Sequence, residues 1–194
     1  MNKKIFVGFN NTVVDTNKTL VEIYNSIYSE SVDVNAIKRF DLTDGCTYLG
    51  ERFNGDVWKD VATIFTSDEF WSKLEVLKGV KETLSNLKSN GYELVLYTDS
   101  ETYHQNQFQS FVKKELPMFN SVIHSESFEK INQIDMDECF NINNVVVVLQ
   151  NSNARTNIVV GKELKGNRNP GYFRITDWPE VVPYINQIYD MSMI

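Results

Sequence analysis

Short apolar, β-branched runs alternate along this chain with stretches whose apolar residues recur at helical spacing, and few folds accept that alternation. Lys4 to Phe9 reads as a buried strand, halted by the turn formers Asn10 and Asn11. Leu20, Ile23, Tyr24 and Ile27 mark a helix over residues 17–28. Residues 31–57 are mixed, broken by Gly45, Gly50 and Gly55, and a second helical stretch runs from Val57 to Phe65. Val80, Leu84 and Leu87 line one face of a further helix, with Gly91 placed for a left-handed cap behind it. Strands follow at Glu93–Thr98 and Ser121–His124, separated by a helix over 102–115 that Pro117 ends. Val145–Leu149 has no polar residue and is too short for an ordinary helix, so it predicts a central parallel strand. Tyr172–Ile175 predicts a last strand. Asp177 with Glu180 predicts a capping box ahead of a final helix carrying Val181, Val182, Ile185 and Ile188.

This order specifies an α/β fold, doubly wound around a parallel sheet. Right-handed crossovers bring the strand ends to one rim. The loops expected to carry chemistry are then 10–15, 98–102, 125–130 and 150–155. Residues 18–75 separate the first strand from the second, which predicts a small helical cap inserted after the first strand. The core domain is then 1–17 and 76–194.

At 194 residues the chain can bury one such core without staples. A formal charge of −7 excludes bulk nucleic-acid binding by the whole surface, though it leaves room for a local basic pocket. Cys46 and Cys139 are too few for a disulfide scaffold and sit at no metal-site spacing, so they read as free thiols. The apolar run after Met1-Asn2-Lys3-Lys4 ends by Phe9. A leader needs ~7–15 apolar residues and a membrane span ~20, so neither is expected and the predicted location is cytoplasmic.

A phosphotransfer site on the rim needs carboxylates. One after the first strand attacks phosphorus, a second two residues on moves the proton, and a pair after a later strand helps hold Mg²⁺. The chain carries the landmarks around such a site without the carboxylates. Phe6-Val7-Gly8-Phe9-Asn10-Asn11-Thr12-Val13-Val14-Asp15 resembles the first motif, Asp-x-Asp-Gly-Thr/Val-x-x-Asp, of the haloacid dehalogenase-type (HAD) phosphatases. Phe70-Trp71-Ser72-Lys73-Leu74-Glu75-Val76-Leu77-Lys78-Gly79-Val80 is similar to the stretch leading into the core helix of the 5′(3′)-deoxyribonucleotidases. Leu96-Tyr97-Thr98-Asp99-Ser100 resembles the second motif, and Val147-Val148-Leu149-Gln150-Asn151-Ser152 the fourth, where a strand meets an Asp pair. Trp178 before the last helix fits the same family. The resemblance runs along nearly the whole chain and implies the HAD-like Rossmannoid core of Mg²⁺-dependent phosphatases.

Against that family, Gly8 stands at the nucleophile, Asn10 at the acid/base Asp, and Gln150 and Asn151 at the metal-binding pair. Thr12, Asp15 and Thr98 keep family-like types, and the third-motif Lys falls on Ser127 by count or on Lys130 with a slipped loop. Glycine offers no nucleophile, and neutral amides hold Mg²⁺ poorly. These departures lead to the expectation of a catalytically inactive relative of the deoxyribonucleotidases, with no metal and no cofactor. It acts by binding a protein partner or, second to that, a nucleotide or phosphate without turnover. The ligand contacts are then Asn10, Asn11, Thr12, Thr98, Asp99 and Arg155, with Phe70 and Trp71 near the base. The alternative is a residual nucleotide phosphomonoesterase that uses displaced residues such as Asp15 or Asp99.

Other constellations carry less. Asp135, Asp137 and Glu138 read as a solvated loop before they read as a cation site. His104 and His124 lack partners at ligand spacing, Arg52 is a phosphate contact by location alone, and Ser100 lacks the G-x-S-x-G context of a hydrolase elbow.

Overall fold

In the computed structural model of the protein, which describes residues 3–39, 42, 44–98, 105–125, 128–167 and 171–191, all strand pairings of the sheet are parallel. The strands are β1 (Lys4–Gly8), β2 (Glu93–Thr98), β3 (Ser121–His124), β4 (Phe140–Asn143), β5 (Thr156–Val160) and β6 (Arg174–Ile175). Their spatial order is β3-β2-β1-β4-β5-β6, so the sheet reverses direction at β1. Ligands of such sheets sit beyond the carboxyl ends of the strands at that switch point. The fold is α/β with a parallel sheet, as the alternation of runs predicts.

The helices are α1 (Thr16–Tyr28), α2 (Val57–Phe65), α3 (Asp68–Lys73), α4 (Val80–Ser89), α5 (Gln105–Glu115), α6 (Val146–Gln150) and α7 (Val181–Met191). The alternation within β1 divides the core. Ile5 and Val7 join the larger cluster with Leu84, Leu87, Val181 and Ile185, while Phe6 joins a smaller one with Val95, Tyr97, Ile131 and Met136. Helices α1 to α3 and 3-10 turns at Val34–Ala36 and Glu51–Phe53 all fall between β1 and α4. The chain enters and leaves this helical segment side by side. Val14 pairs antiparallel with Val76, the Asp15 N–H donates to Glu75 O at 2.9 Å, and the Leu77 N–H donates to Val13 O at 2.9 Å.

Two sequence expectations are corrected. Val145–Leu149 is not the central strand: β4 lies upstream at Phe140–Asn143, and Val146–Gln150 is the short helix α6. Asn141 and Asn143 interrupt the apolar signal of β4, yet both are buried and hydrogen-bonded inside the sheet. The Asn143 side chain then ends the strand, its Oδ1 accepting from the Val145 N–H at 2.7 Å. The capping box at Asp177 is also absent. Asp177 precedes a 3-10 turn, Trp178–Glu180, and its side chain makes no cap bond. The backbone closes the turn instead, the Glu180 N–H donating to Asp177 O at 3.0 Å. Pro179 has no N–H to cap. Strand β5 was not among the expected strands. Among the described residues, no helix is long and apolar enough to cross a membrane.

Candidate functional site

Gly8 ends β1 beside Tyr97 of β2, and β4 runs along its other side. A Cβ on Gly8 would lie 2.2 Å from Asn143 Nδ2 and 2.8 Å from its Cγ. The amide of Asn143 therefore fills the volume that a side chain on Gly8 would take. Partners on each side hold it there. Asn143 Nδ2 donates to the Tyr97 hydroxyl at 2.7 Å, and that hydroxyl donates to Asn141 Oδ1 at 2.9 Å. The bond polarity fixes the amide orientation, leaving Asn143 Oδ1 to accept from Val145 N–H and face the Thr12 hydroxyl at 3.4 Å.

Thr12 joins the loops after β1 and β4. Its fully buried hydroxyl accepts from the Asn144 N–H at 3.0 Å and also lies 3.1 Å from Asn10 O. The Trp178 indole N–H donates to Thr12 O at 2.9 Å, tying the start of the last helical region to the same loop. Asn144 Nδ2 donates to Val160 O at 2.7 Å, and Asn167 bridges Asn144 O and the Val146 N–H, both at 2.8 Å. Asn10 Oδ1 accepts from the Thr16 hydroxyl at 3.2 Å. Asn11 exchanges bonds with Asn17 at 2.9 Å and holds a left-handed φ of 50°, which Asn tolerates better than most residues. The rim is thus a network of neutral amides and hydroxyls whose orientations are set by one another.

The structure brings together some of the sequence candidates and separates others. Asn10, Asn11, Thr12 and Thr98 lie at the carboxyl ends of β1 and β2, with Thr98 buried. Asp99, Ser100, His104 and Ser127 lie outside the described residues. Gln150, Asn151 and Arg155 are corrected as rim residues. Gln150 and Asn151 are exposed at the far end of α6, and Arg155 leads into the amino end of β5, at the opposite edge of the sheet. Arg155 is paired there with Glu138 at 2.7 Å. The residues at the rim end of β4 are Asn143, its last residue, and Asn144 after it. Phe70 is 2% exposed and packs on Phe65, while the Trp71 indole donates to Phe65 O at 3.0 Å and stacks on Phe9. Both are packing residues of the helical segment. Arg52 is committed to Asp60.

Asp15 caps α1, its carboxylate accepting from the Lys18 N–H at 3.1 Å. Lys130 is exposed in a 3-10 turn, Phe128–Gln133, behind β3. Burial pushes the His124 imidazole down, which favours its neutral form, and its ring meets Phe108 edge-on. Burial also pushes the Cys46 thiol up to about 11, and both cysteines are buried thiols outside any disulfide, as expected of unreactive thiols.

The resemblance to HAD phosphatases implies a magnesium ion at this rim, and the described residues there do not fit it. Gly8, Asn10, Asn143 and Asn144 carry no charge, and the Oδ1 atoms of Asn10 and Asn143 already accept protein hydrogen bonds. Among the described residues, no cluster of three or more His, Cys, Asp or Glu side chains is arranged to hold a metal.

One concavity went unread in the sequence. A pocket of about 250 Å³ opens beside the β1 loop, lined by Asn11, Thr12, Lys78, Lys162, Asp177 and Trp178 among others. Lys162 follows β5, a strand the sequence did not declare, so its place at the rim had no signal. Lys78 had one, in the Leu77-Lys78-Gly79 turn before α4.

The family model of haloacid dehalogenase-like hydrolases matches residues 5–132. None of the curated proteins compared with the chain matches it. Solved structures share the fold along nearly the full chain. A predicted phosphatase from Clostridium acetobutylicum is 16% identical with a TM-score of 0.65, covering 96% of this chain and 99% of that one. A HAD-superfamily hydrolase from Ehrlichia chaffeensis is 17% identical with a TM-score of 0.56, covering 97% and 99%. A HAD family hydrolase from Deinococcus radiodurans, holding phosphate and sodium, is 15% identical with a TM-score of 0.62, covering 96% of each chain. These findings overturn the expectation of a catalytically inactive protein that works by binding a partner, since the matched family is one of hydrolases. With two thirds of its length matched, from the first strand through the helical segment to the turn after β3, the chain belongs to the haloacid dehalogenase-like hydrolase family.

Proposed function

We propose that the chain hydrolyses a small phosphomonoester by a route that does not use a carboxylate on β1. The observation that carries this reading is the Thr12 link between the β1 and β4 loops, which keeps the strand ends of a hydrolase-family fold converged on one rim. The phosphate bound to the Deinococcus hydrolase supports a phosphorylated ligand for this fold.

Gly8 cannot form a phosphoryl-enzyme, so the step is direct attack of water on phosphorus. The new P–O bond forms as the ester P–O bond breaks. The attacking water gives a proton to a carboxylate, and the leaving alkoxide takes one up. Asp15 is the described candidate for the base, being partly exposed at the start of α1, and Asp99 is the other. General acid–base help of this kind contributes about 10²–10⁴ in rate. Nucleoside monophosphates head the substrate panel, because the stretch from Phe70 to Val80 is similar to that of the deoxyribonucleotidases.

Phosphate release from deoxynucleoside monophosphates and p-nitrophenyl phosphate tests the reading. Turnover above a blank is expected, reduced at least tenfold by Asp15→Asn or Asp99→Asn. No release from any substrate, with folded protein, overturns it.

A further inference from the structure

We propose that the pocket beside Thr12 is the phosphate site, and that Lys78 and Lys162 supply there the positive charge that a divalent cation supplies in a carboxylate-built site. The inference rests on the hydrolase reading and adds where the dianion binds and what neutralises it.

The pocket is built from four segments. Asn11 and Thr12 follow β1, Leu77 and Lys78 lead into α4, Val160 ends β5 with Gly161 and Lys162 after it, and Thr176 to Trp178 follow β6. Each wall is fixed by bonds that do not involve the lysine ammonium groups. The Arg174 guanidinium donates to the carbonyls of Gly161 at 3.2 Å, Lys162 at 3.3 Å and Asn167 at 2.9 Å. Asn144 holds Val160 O and Trp178 holds Thr12 O, so the same network that locks the neutral rim also shapes this pocket. Preformed walls of this kind remove part of the ordering cost of binding.

Lys78, Lys162 and Asp177 are exposed on the pocket's walls, and the two ammonium groups are unspent. Among the described residues Lys78 forms no ion pair, and the Lys162 ammonium reaches only the Asn35 carbonyl, at 3.4 Å. Both line a pocket on a chain of net charge −7, where repulsion disfavours an anion elsewhere on the surface. The third charged group is Asp177, whose carboxylate caps nothing. Two ammonium groups and one carboxylate leave a net positive pocket. A phosphate dianion meets the lysines, and a hydroxyl of the same ligand donates to Asp177. The ligand class is therefore a hydroxylated phosphomonoester. At about 250 Å³ the pocket falls just below the usual ~300–1,000 Å³ of drug-sized ligands, which favours a small one.

The contrast with Gly8 sharpens the point. There a side chain of Asn143 fills the space, its amide oxygen is engaged, and among the described residues no cluster of carboxylates is arranged to gather a cation. Negative charge is drawn to Lys78 and Lys162 instead.

The test is thermal melting of the full chain with inorganic phosphate and with glycerol phosphate, each in EDTA and in millimolar Mg²⁺. Parallel arms use Lys78→Ala/Lys162→Ala and, as a control on α5, Lys113→Ala/Lys114→Ala. Both ligands should raise the melting temperature saturably and equally with or without Mg²⁺, with glycerol phosphate tighter. The pocket variant should weaken binding at least tenfold, and the α5 variant should match the parent. No shift, a shift kept in the pocket variant, or a shift that requires Mg²⁺ overturns the proposal. Phosphate release measured on the same samples separates the two readings. Lysine-dependent binding without turnover removes only the hydrolase reading, and turnover unchanged in the pocket variant removes only the pocket.

Discussion

The rim of the sheet and the helical segment beside it solve the same physical problem in opposite ways. Both bury polar side chains. At the rim the buried groups are neutral: Thr12, Asn143 and Asn144, with Tyr97 beneath, hold one another by hydrogen bonds between 2.7 and 3.4 Å. In the helical segment the buried group is a charge. Asp60 on α2 is fully buried and accepts from the Tyr28 hydroxyl, the Arg52 guanidinium and, at 2.8 Å, the Gly50 N–H. The guanidinium lies over the rings of Tyr28 and Phe53, 5.7 and 5.6 Å from their centroids. A neutral network loses one modest bond at a time. A buried carboxylate loses its whole compensation when its cation goes. The helical segment should therefore be the more brittle region, and the rim the more forgiving one.

The largest effect should come from breaking the charged node. Arg52→Ala leaves Asp60 buried with only Tyr28 and Gly50, and should destabilise the protein by about 3 kcal/mol, the low end for a broken buried pair because the guanidinium is partly exposed. Urea unfolding of variant and parent measures it, and a loss under about 1 kcal/mol would erase the contrast between the regions.

A smaller loss should follow crowding at the rim. Gly8→Asp must displace the Asn143 amide from Tyr97, at about 2 kcal/mol for an overpacked site that also forfeits a hydrogen bond. Clearing the space with Asn143→Gly in the same chain should recover part of that stability. If the double variant is no better than Gly8→Asp alone, Asn143 is not what fills the position.

The smallest effect is the share of the pH dependence that the charged node of the helical segment carries. Burial pushes the Asp60 carboxyl up, but the hydrogen bonds from Tyr28, the Gly50 N–H and Arg52 together outweigh it and hold the group below the usual carboxylate range. A lowered folded-state value means that Asp60 stabilises the fold above the unfolded value of ~3.9 and that this contribution is lost as pH falls through the folded value. As pH falls below about 4, the parent should lose stability faster than Asp60→Asn does. The neutral amides and hydroxyls of the rim add nothing to this slope. Equal slopes would show that Asp60 does not carry it.

How much of this was legible depended on whether a residue's role is local. Helix α2 over Val57–Phe65, strand β3 over Ser121–His124 and the Gly91 turn with φ 83° all follow from residues close in sequence. Strand β4 did not, because Asn141 and Asn143 are polar residues whose partners, Tyr97 and Thr12, sit in other parts of the chain. Missing β4 misplaced the landmarks next to it. Gln150 and Asn151 took the rim position that belongs to Asn143 and Asn144, and Arg155 was placed at the wrong edge of the sheet.

By itself the sequence determined the α/β alternation, the helical segment after the first strand and the absence of a carboxylate at Gly8 and Asn10, since composition and periodicity are properties of the chain read in order. Only the tertiary structure decided that Asn143 fills the space over Gly8, that Phe70, Trp71 and Arg52 are committed to packing and to Asp60, and that Lys78 and Lys162 share a pocket with Asp177. Those facts depend on which strands become neighbours. Neighbours in a parallel sheet are set by crossovers and burial across the whole domain, which no local stretch of sequence records.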